Sequence, residues 1–459
     1  MVFTRTVVAA NLAVVTTGIC FGWTSPSISS LRDPDTPGLT ITDREASWIA
    51  SLMTLGSAIG VIASSILLNR VGRKITLLLS TVPFISGWLW IVFADRAMHM
   101  YIGRIILGLG TGLTLTVIPL YFSEIAPTKN RGATGSSIFF ALKLGILIAY
   151  IFGMLVSVRI LSLVALVFPC MFGTLFFWCP ESPYYLVYRG EHDKARVTLM
   201  HLRGSLKIDE EMDMIVKMIE SDVSTNTSIL DLFLVRSNRK ACFIMFFLVL
   251  VQYTTGSQAI TAYAEIIFDA ARSRVSGGYL AIILGAVQLV SVVFTIACVD
   301  RGGRRVLLLL STSGVTICTF LIAVYFYVQN DGQEVEELKW IACISVILFT
   351  IMYALGLSSI PNMMVGEMFP ASVKPKAAGL LGILADICSF FIIKFFYALS
   401  KAEGMHVPFF LFTLFGLLGI CHIAFFLPET KRKTLQEVQD ILVLGRNTYI
   451  PRIDHKLFS

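Results

Sequence analysis

The sequence predicts an all-α polytopic membrane protein, about twelve transmembrane helices arranged as two pseudo-symmetric six-helix halves. Two observations carry that expectation. The first is solvent preference: of 459 residues, 56% are hydrophobic and only 15% charged, where soluble chains are nearer a quarter charged. Mean hydropathy is +0.77. The second is a repeat of three charged motifs in the same order, six apolar segments apart. Asn69-Arg-Val-Gly-Arg-Lys74 matches Asp300-Arg-Gly-Gly-Arg-Arg305. Tyr121-Phe-Ser-Glu-Ile-Ala-Pro127 matches Val365-Gly-Glu-Met-Phe-Pro370, and Pro180-Glu-Ser-Pro183 matches Pro428-Glu-Thr-Lys431. A basic loop or a helix-ending proline explains one such pair. It does not explain three with acids and bases in register.

Taken in order, the first span covers about Val7 to Ile28, with Asn11 its only strongly polar interruption. Asp33, Pro34, Asp35 and Pro37 then form a short turn-rich loop. Further spans fall near Trp48–Leu68, Ile75–Ala94, Tyr101–Phe122, Ala133–Val156 and Ile160–Trp178. Each has about the length a bilayer crossing needs. The long hydrophilic stretch from Pro180 to Lys240 interrupts the pattern. Its apolar residues recur at helical spacing (Val187, Ala195, Leu199 and Leu202, then Met212, Ile215 and Ile219), which predicts short amphipathic helices on the membrane surface. The second half spans Cys242–Phe268, Tyr279–Val299, Val306–Val328, Trp340–Gly366, Ala377–Leu399 and Val407–Leu427. The expected division is an N-terminal half over 1–179, a linker over 180–240, a C-terminal half over 241–427 and a tail over 428–459.

The net charge of +7 does not indicate a nucleic-acid partner, because the basic residues collect in short loops between apolar runs. Arg70, Arg73, Lys74, Lys129, Arg131, Arg301, Arg304, Arg305, Lys374 and Lys376 fall on one side of a twelve-span chain. The acid-rich loop with Asp331, Glu334, Glu336 and Glu337 falls on the other. The positive-inside bias makes the basic side cytoplasmic, together with both termini and the linker. The sequon Asn226-Thr227-Ser228 lies in that linker and is expected to stay unmodified. The nine cysteines sit in or at the ends of apolar segments and read as small hydrophobes. No cleavable signal peptide is expected, since the first apolar segment starts at once and is long enough to span. The six histidines form no metal or triad cluster, so no enzyme, metal or cofactor is expected. The expected surroundings are a lipid bilayer and a small solute, with no obligate protein partner.

Gly103 to Gly132 is the best-defined stretch: Arg104, then Gly108, Gly110 and Gly112, Pro119, Glu124, and a basic turn at Lys129 and Arg131. Glu124 and its counterpart Glu367 stand where helices leave the membrane, on the same side as Arg73, Arg131, Arg304, Arg305 and Lys374. At helix C-termini basic residues also meet the negative end of the macrodipole. Partly buried ion pairs across the two halves are costly to break one-sidedly, so these groups are expected to hold the basic side shut.

These motifs together resemble the sugar porters of the major facilitator superfamily, in the glucose-transporter group. Phe21-Gly-Trp-Thr-Ser-Pro26 and Ser47-Trp-Ile-Ala-Ser-Leu52 add a likeness to insect facilitated trehalose transporters. The resemblance covers essentially the whole chain. It implies two halves rocking around a midplane site and a cytoplasmic gate of Arg73, Arg104, Glu124, Arg131, Glu181, Arg304, Arg305, Glu367, Lys374 and Glu429. Asn69 stands where the family usually has an acid, which weakens the first-half network.

The substrate path departs from the family pattern. In the seventh span Gln252, Thr255, Gly256 and Tyr263 keep it, whereas Tyr253 replaces a glutamine and Gln258 an asparagine. In the tenth span Asn362 stands where a tryptophan would stack on sugar. An ungapped count puts Ala385 and Asp386 on the usual Asn-Trp pair of the eleventh span, and Phe139 on the usual glutamine of the fifth. Lys143 lies one turn further along the same helix face. A charge at mid-membrane costs roughly 2.5–3.5 kcal/mol on insertion scales and usually faces a wet cavity or a partner. Lys143 and Asp386 are therefore expected to line the central cavity, paired across it. Thr24 occupies the first-span position where proton-coupled members carry an acid near the arginine that Arg104 resembles, which favours uniport. The expected substrate contacts are thus Gln252, Thr255, Gln258, Tyr263, Asn362, Lys143, Phe139, Asp386 and Thr24. The implied function is facilitative transport of a hexose or of a disaccharide such as trehalose, in the plasma membrane. Open alternatives are a different or charged solute, proton-coupled sugar symport, and a non-transporting sugar sensor, against which the short tail argues.

Overall fold

The computed structural model describes residues 2–35, 38–206, 208–224, 228–332, 338–370, 372–431 and 433–444, with backbone alone at 128, 221–224, 296–301 and 444. The sequon asparagine, Glu334, Glu336 and Glu337 lie outside the described residues, as do the side chains of Asp300 and Arg301.

Among the described residues twelve helices are long and apolar enough to cross a membrane. Spans 1 to 6 are Val2–Arg32, Asp43–Arg70, Arg73–Val92, Ala97–Ile125, Arg131–Leu155 and Val158–Phe176. Spans 7 to 12 are Arg236–Ala262, Gly277–Thr295, Arg304–Asn330, Lys339–Met368, Lys374–Ala402 and His406–Phe425. Among the described residues no strand occurs. The chain is an all-α polytopic membrane protein, as its composition predicts. Span 2 starts at a capping box, in which Thr42 Oγ1 accepts from Glu45 N at 3.3 Å and Glu45 Oε2 accepts from Thr42 N at 2.8 Å.

Helix packing exposes the repeat. Spans 1 and 5, 2 and 4, 3 and 4, and 3 and 6 pack together in the first half. Shifted by six, the same pairs, 7 and 11, 8 and 10, 9 and 10, and 9 and 12, pack in the second. Where the halves meet, span 2 packs on span 11 and span 5 on span 8. Those two contacts exchange under the same shift, which is the signature of a pseudo-twofold axis between the halves.

Membrane helices approach closely only where side chains are small, because lipid supplies little hydrophobic drive. At the span 2–4 seam, a Cβ added to Gly108 would lie 2.0 Å from Met53 O, and one on Gly112 2.1 Å from Ser57 O. Gly56 and Gly60 face them reciprocally, with added Cβ atoms 2.2 Å from Ile105 O and 2.4 Å from Leu109 O. Gly18 and Gly145 make the equivalent seam between spans 1 and 5.

Spans 7 and 10 are interrupted by backbone that leaves the helical region. Span 7 turns at Gly256 (φ +93°), breaks again at Tyr263, and continues as Ala264–Ala270. Only glycine fits at 256: the φ is left-handed, and an added Cβ would meet the Phe412 ring at 2.4 Å. Span 10 breaks after Leu355 and resumes at Ile360. Ser311 Oγ accepts from the freed Leu357 N at 3.1 Å. Non-helical backbone at membrane depth occurs where protein or a cavity replaces lipid.

The stretch between spans 6 and 7 forms short helices at Pro183–Tyr188, His192–Arg203, Asp209–Ser224 and Asp231–Leu234. Val187, Ala195, Leu199, Ile208 and Ile215 pack into a small core of their own, using the helical spacing visible in the sequence.

Candidate functional site: a central cavity between two charged clusters

The interrupted helices meet at a cavity of about 70 Å³. At 10–15 Å³ per water it has room for about five water molecules. Phe21 of span 1 and Lys143 and Ile146 of span 5 line it from the first half. Ser257, Gln258 and Thr261 of span 7, Gln288 of span 8 and Phe349, Thr350, Tyr353 and Ser358 of span 10 line it from the second. The lining therefore mixes amide, hydroxyl and aromatic side chains from both halves. A second cavity of about 10 Å³, enough for one water, adjoins it beside Thr24, Arg104 and Gln258.

Of the residues expected to contact substrate, the structure places Lys143 and Gln258 on the larger cavity, and Thr24 with Gln258 on the smaller. The others lie elsewhere. Gln252 is buried, and its amide donates to Ser358 O at 3.4 Å across the two breaks. Thr255 is fully buried and bonds its own helix. Tyr263 is also fully buried: its hydroxyl donates to Ile393 O at 3.3 Å and its ring stacks on Phe396 and Tyr397. These three shape the bend in span 7 and do not face the cavity. Phe139 is half-buried outside the lining, and Asn362 is exposed. Asp386 sits against Ser57 of span 2 and near Tyr253. Lys143 and Asp386 form no ion pair, so the expected pairing across the cavity does not occur. Ser257, Gln288 and Tyr353 were missed by the sequence reading. Gln288 carried a usable signal as a lone amide within an apolar span.

Arg104 is 1% exposed and fully committed. Its guanidinium donates to Ile49 O at 3.0 Å, Cys20 O at 2.8 Å and Thr24 Oγ1 at 2.7 Å. It also lies 5.2 Å from the Trp23 ring centroid. Twenty residues separate it from Glu124 on one helix, about 30 Å at 1.5 Å per residue. Arg104 therefore ties spans 1, 2 and 4 together and is not part of the charged cluster at Glu124.

That cluster is built identically in both halves. Gly72 (φ +91°) and Gly303 (φ +82°) each open a helix in a conformation that side chains disfavour. The first free N–H groups of that helix meet a glutamate. Arg73 N and Lys74 N donate to Glu181 Oε1 at 3.2 and 3.0 Å. Arg304 N and Arg305 N donate to Glu429 at 3.0 and 3.1 Å. A carboxylate there satisfies orphan donors and the positive end of the helix dipole. The same arginine side chains reach a second acid. Arg73 Nη2 and Nε lie 2.7 and 2.9 Å from Glu124. Arg304 Nη2 and Nε lie 3.0 and 3.1 Å from Glu367, which also accepts from Thr430 Oγ1. Burial raises the Glu181 carboxyl above the usual range, partly offset by the Ser182 and Lys74 N–H groups and by Arg73.

Each pair lies within one half, not across the two as the sequence reading expected. Arg131 and Lys374 are exposed and join neither cluster. Arg305 donates its side chain to Ala424 O. Contacts between halves gather toward the opposite ends of the same helices. Tyr397 Oη donates to Asp43 Oδ1 at 2.7 Å and Lys394 Nζ to Ser47 Oγ at 3.0 Å. Lys394 Nζ also sits 3.4 Å from the Trp48 ring centroid. Glu265 N donates to Ser25 Oγ at 3.0 Å, and Tyr150 Oη to Thr261 O at 2.7 Å. The halves are thus latched at the face away from the basic loops.

The family model described as "Sugar (and other) transporter" matches residues 10–442. A facilitated trehalose transporter of Polypedilum vanderplanki is 31% identical over 94% of this chain and 86% of its own length. Its namesake in Culex quinquefasciatus is 29% identical over 94% and 84%. The Aedes aegypti protein of the same name is longer, and this chain spans 54% of it. Among solved structures, the inward-open xylose transporter XylE from E. coli superposes with a TM-score of 0.80 at 21% identity, over 96% of this chain and 100% of that one. XylE bound to 6-bromo-6-deoxy-D-glucose gives 0.78 at 21% identity, over 96% and 99%. These two establish a shared major facilitator fold.

Proposed function

This chain belongs to the sugar (and other) transporter family, and on that premise we propose that it is a facilitative carrier moving a sugar such as trehalose or a hexose down its gradient by alternating access. The observation that carries the reading is the cavity between the halves, where Gln258, Gln288, Ser257, Thr261 and Thr350 converge around aromatic walls. Amides and hydroxyls both donate and accept, which suits the hydroxyls of a sugar. No covalent chemistry is called for, so the protein is a carrier and not an enzyme.

The latch at the far face supports an inward-facing state, with the basic face cytoplasmic by the charge rule. In the outward-facing state the rigid clusters at Arg73–Glu124 and Arg304–Glu367 close against each other, with Arg131 and Lys374 joining the closed face. The functional units are the halves 1–179 and 241–427, the cytoplasmic linker 180–240 and the tail 428–459, in a plasma-membrane protein with both termini inside. Uniport is favoured over proton symport because the partners of Arg104 are two carbonyls and Thr24, none of them a carboxylate.

Counterflow in vesicles tests this. Purified protein in liposomes loaded with unlabelled trehalose or glucose should draw in radiolabelled sugar transiently above its external level. Flat traces for every sugar tried, from monodisperse protein, would contradict the reading.

A further inference from the structure

Resting on that reading, we infer that the preferred sugar carries an acidic group, so that the substrate class is sugar acids such as hexuronates in preference to neutral sugars. Lys143 lines the larger cavity, and no carboxylate lies among the residues described around it. Its ammonium makes no hydrogen bond or ion pair among the described residues, and Asp386, the acid nearest in kind, is turned to Ser57. The adjoining cavity adds a second cation, Arg104, and again no acid. The two linings therefore hold two cations and no acid, and one of those cations is left unanswered by the protein. A lysine at membrane depth is kept where it meets water, a partner or a ligand.

Two further groups bear on the same occupant. Gln288 Oε1 and Ser257 Oγ are buried without a hydrogen-bond partner and belong to the same lining. Buried polar atoms left unpaired are costly, so a ligand that pairs them is favoured. A hydroxyl of the ligand donates to Gln288 Oε1, and another bonds Ser257. A carboxylate accepts from the Lys143 ammonium in a charge-assisted hydrogen bond. One lysine balances one carboxylate, whereas a phosphate dianion would leave a charge unpaired.

The test is competition in proteoliposomes taking up radiolabelled glucose, with unlabelled glucose, trehalose, glucuronate and glucose 6-phosphate as competitors. Glucuronate should compete at about one tenth of the glucose concentration or less, the scale of a charge-assisted hydrogen bond. Lys143→Gln should abolish that advantage and Lys143→Arg should keep it. Because the wild-type competition is read first, a variant that fails to fold does not rescue the proposal. Competition by glucose and trehalose but not by glucuronate overturns the sugar-acid preference and leaves sugar transport standing. Glucose 6-phosphate outcompeting glucuronate overturns the match to a single carboxylate. Uptake of neither radiolabelled glucose nor radiolabelled glucuronate overturns both readings, whereas uptake of glucuronate without glucose supports the sugar-acid preference.

Discussion

At the scale of single residues, the charged clusters are the firmest part of the account. Arg73 and Glu124 are 16% and 8% exposed at their side chains and share a two-pronged ion pair. Removing one partner strands the other, at a cost of about 3 kcal/mol or more for a buried pair. Glu124→Gln should therefore lower the melting temperature of purified protein, and the Arg73→Gln, Glu124→Gln double variant should fall by less than the sum of the singles. Strictly additive losses would deny the pairing. Arg104→Lys should also lower the melting temperature, because one ammonium cannot reproduce three bonds aimed at Ile49, Cys20 and Thr24. The acids and arginines of these clusters were legible because the repeat put them in register. Their pairing within halves was not, since spacing along a chain does not say which half an arginine turns toward. Lys143 was legible as a charge in an apolar run, while the place of Tyr263 depended on the bend at Gly256, which rotates the residues beyond it.

At the scale of elements, glycine seams and helix breaks decide how closely the spans approach. Gly112 touches Ser57 O, with an added Cβ only 2.1 Å away, so Gly112→Leu forces spans 2 and 4 apart. That variant should reach the cell surface poorly and elute as aggregate in detergent, measured by surface labelling and size exclusion. Gly132→Ala, whose added Cβ meets nothing within 4 Å, should behave as wild type. The span boundaries followed directly from apolar length, and the linker helices from their 3.6-residue period. The break in span 10 was marked by Gly356 just past the first helix and Pro361 in the first turn of the second, but apolar length alone runs through both.

At the scale of the whole molecule, the shift of six spans that maps the main intra-half contacts onto their partners also exchanges the span 2–11 and span 5–8 contacts between halves. Two such bodies can rock about a shared axis without repacking their interiors, which is what alternating access needs. The latch of Ser47 with Lys394 and Asp43 with Tyr397 must then open in every cycle. Ser47→Cys with Lys394→Cys, in a background where exposed Cys170 and Cys421 are serine, should lose transport when bridged through two disulfides by a short bis-methanethiosulfonate and regain it on reduction. Transport that persists after complete bridging would remove the latch from the cycle. The overall architecture was legible because the repeat is written in charges at loop positions. The state was not, because both faces carry closing groups and only packing decides which set is engaged.

Net uptake of labelled sugar into proteoliposomes under an imposed pH gradient bears most directly on the carrier being facilitative. In a facilitative carrier internal sugar rises to the external concentration and stops there, at the same level with or without a protonophore. Accumulation above the external concentration that collapses when the protonophore is added would contradict it.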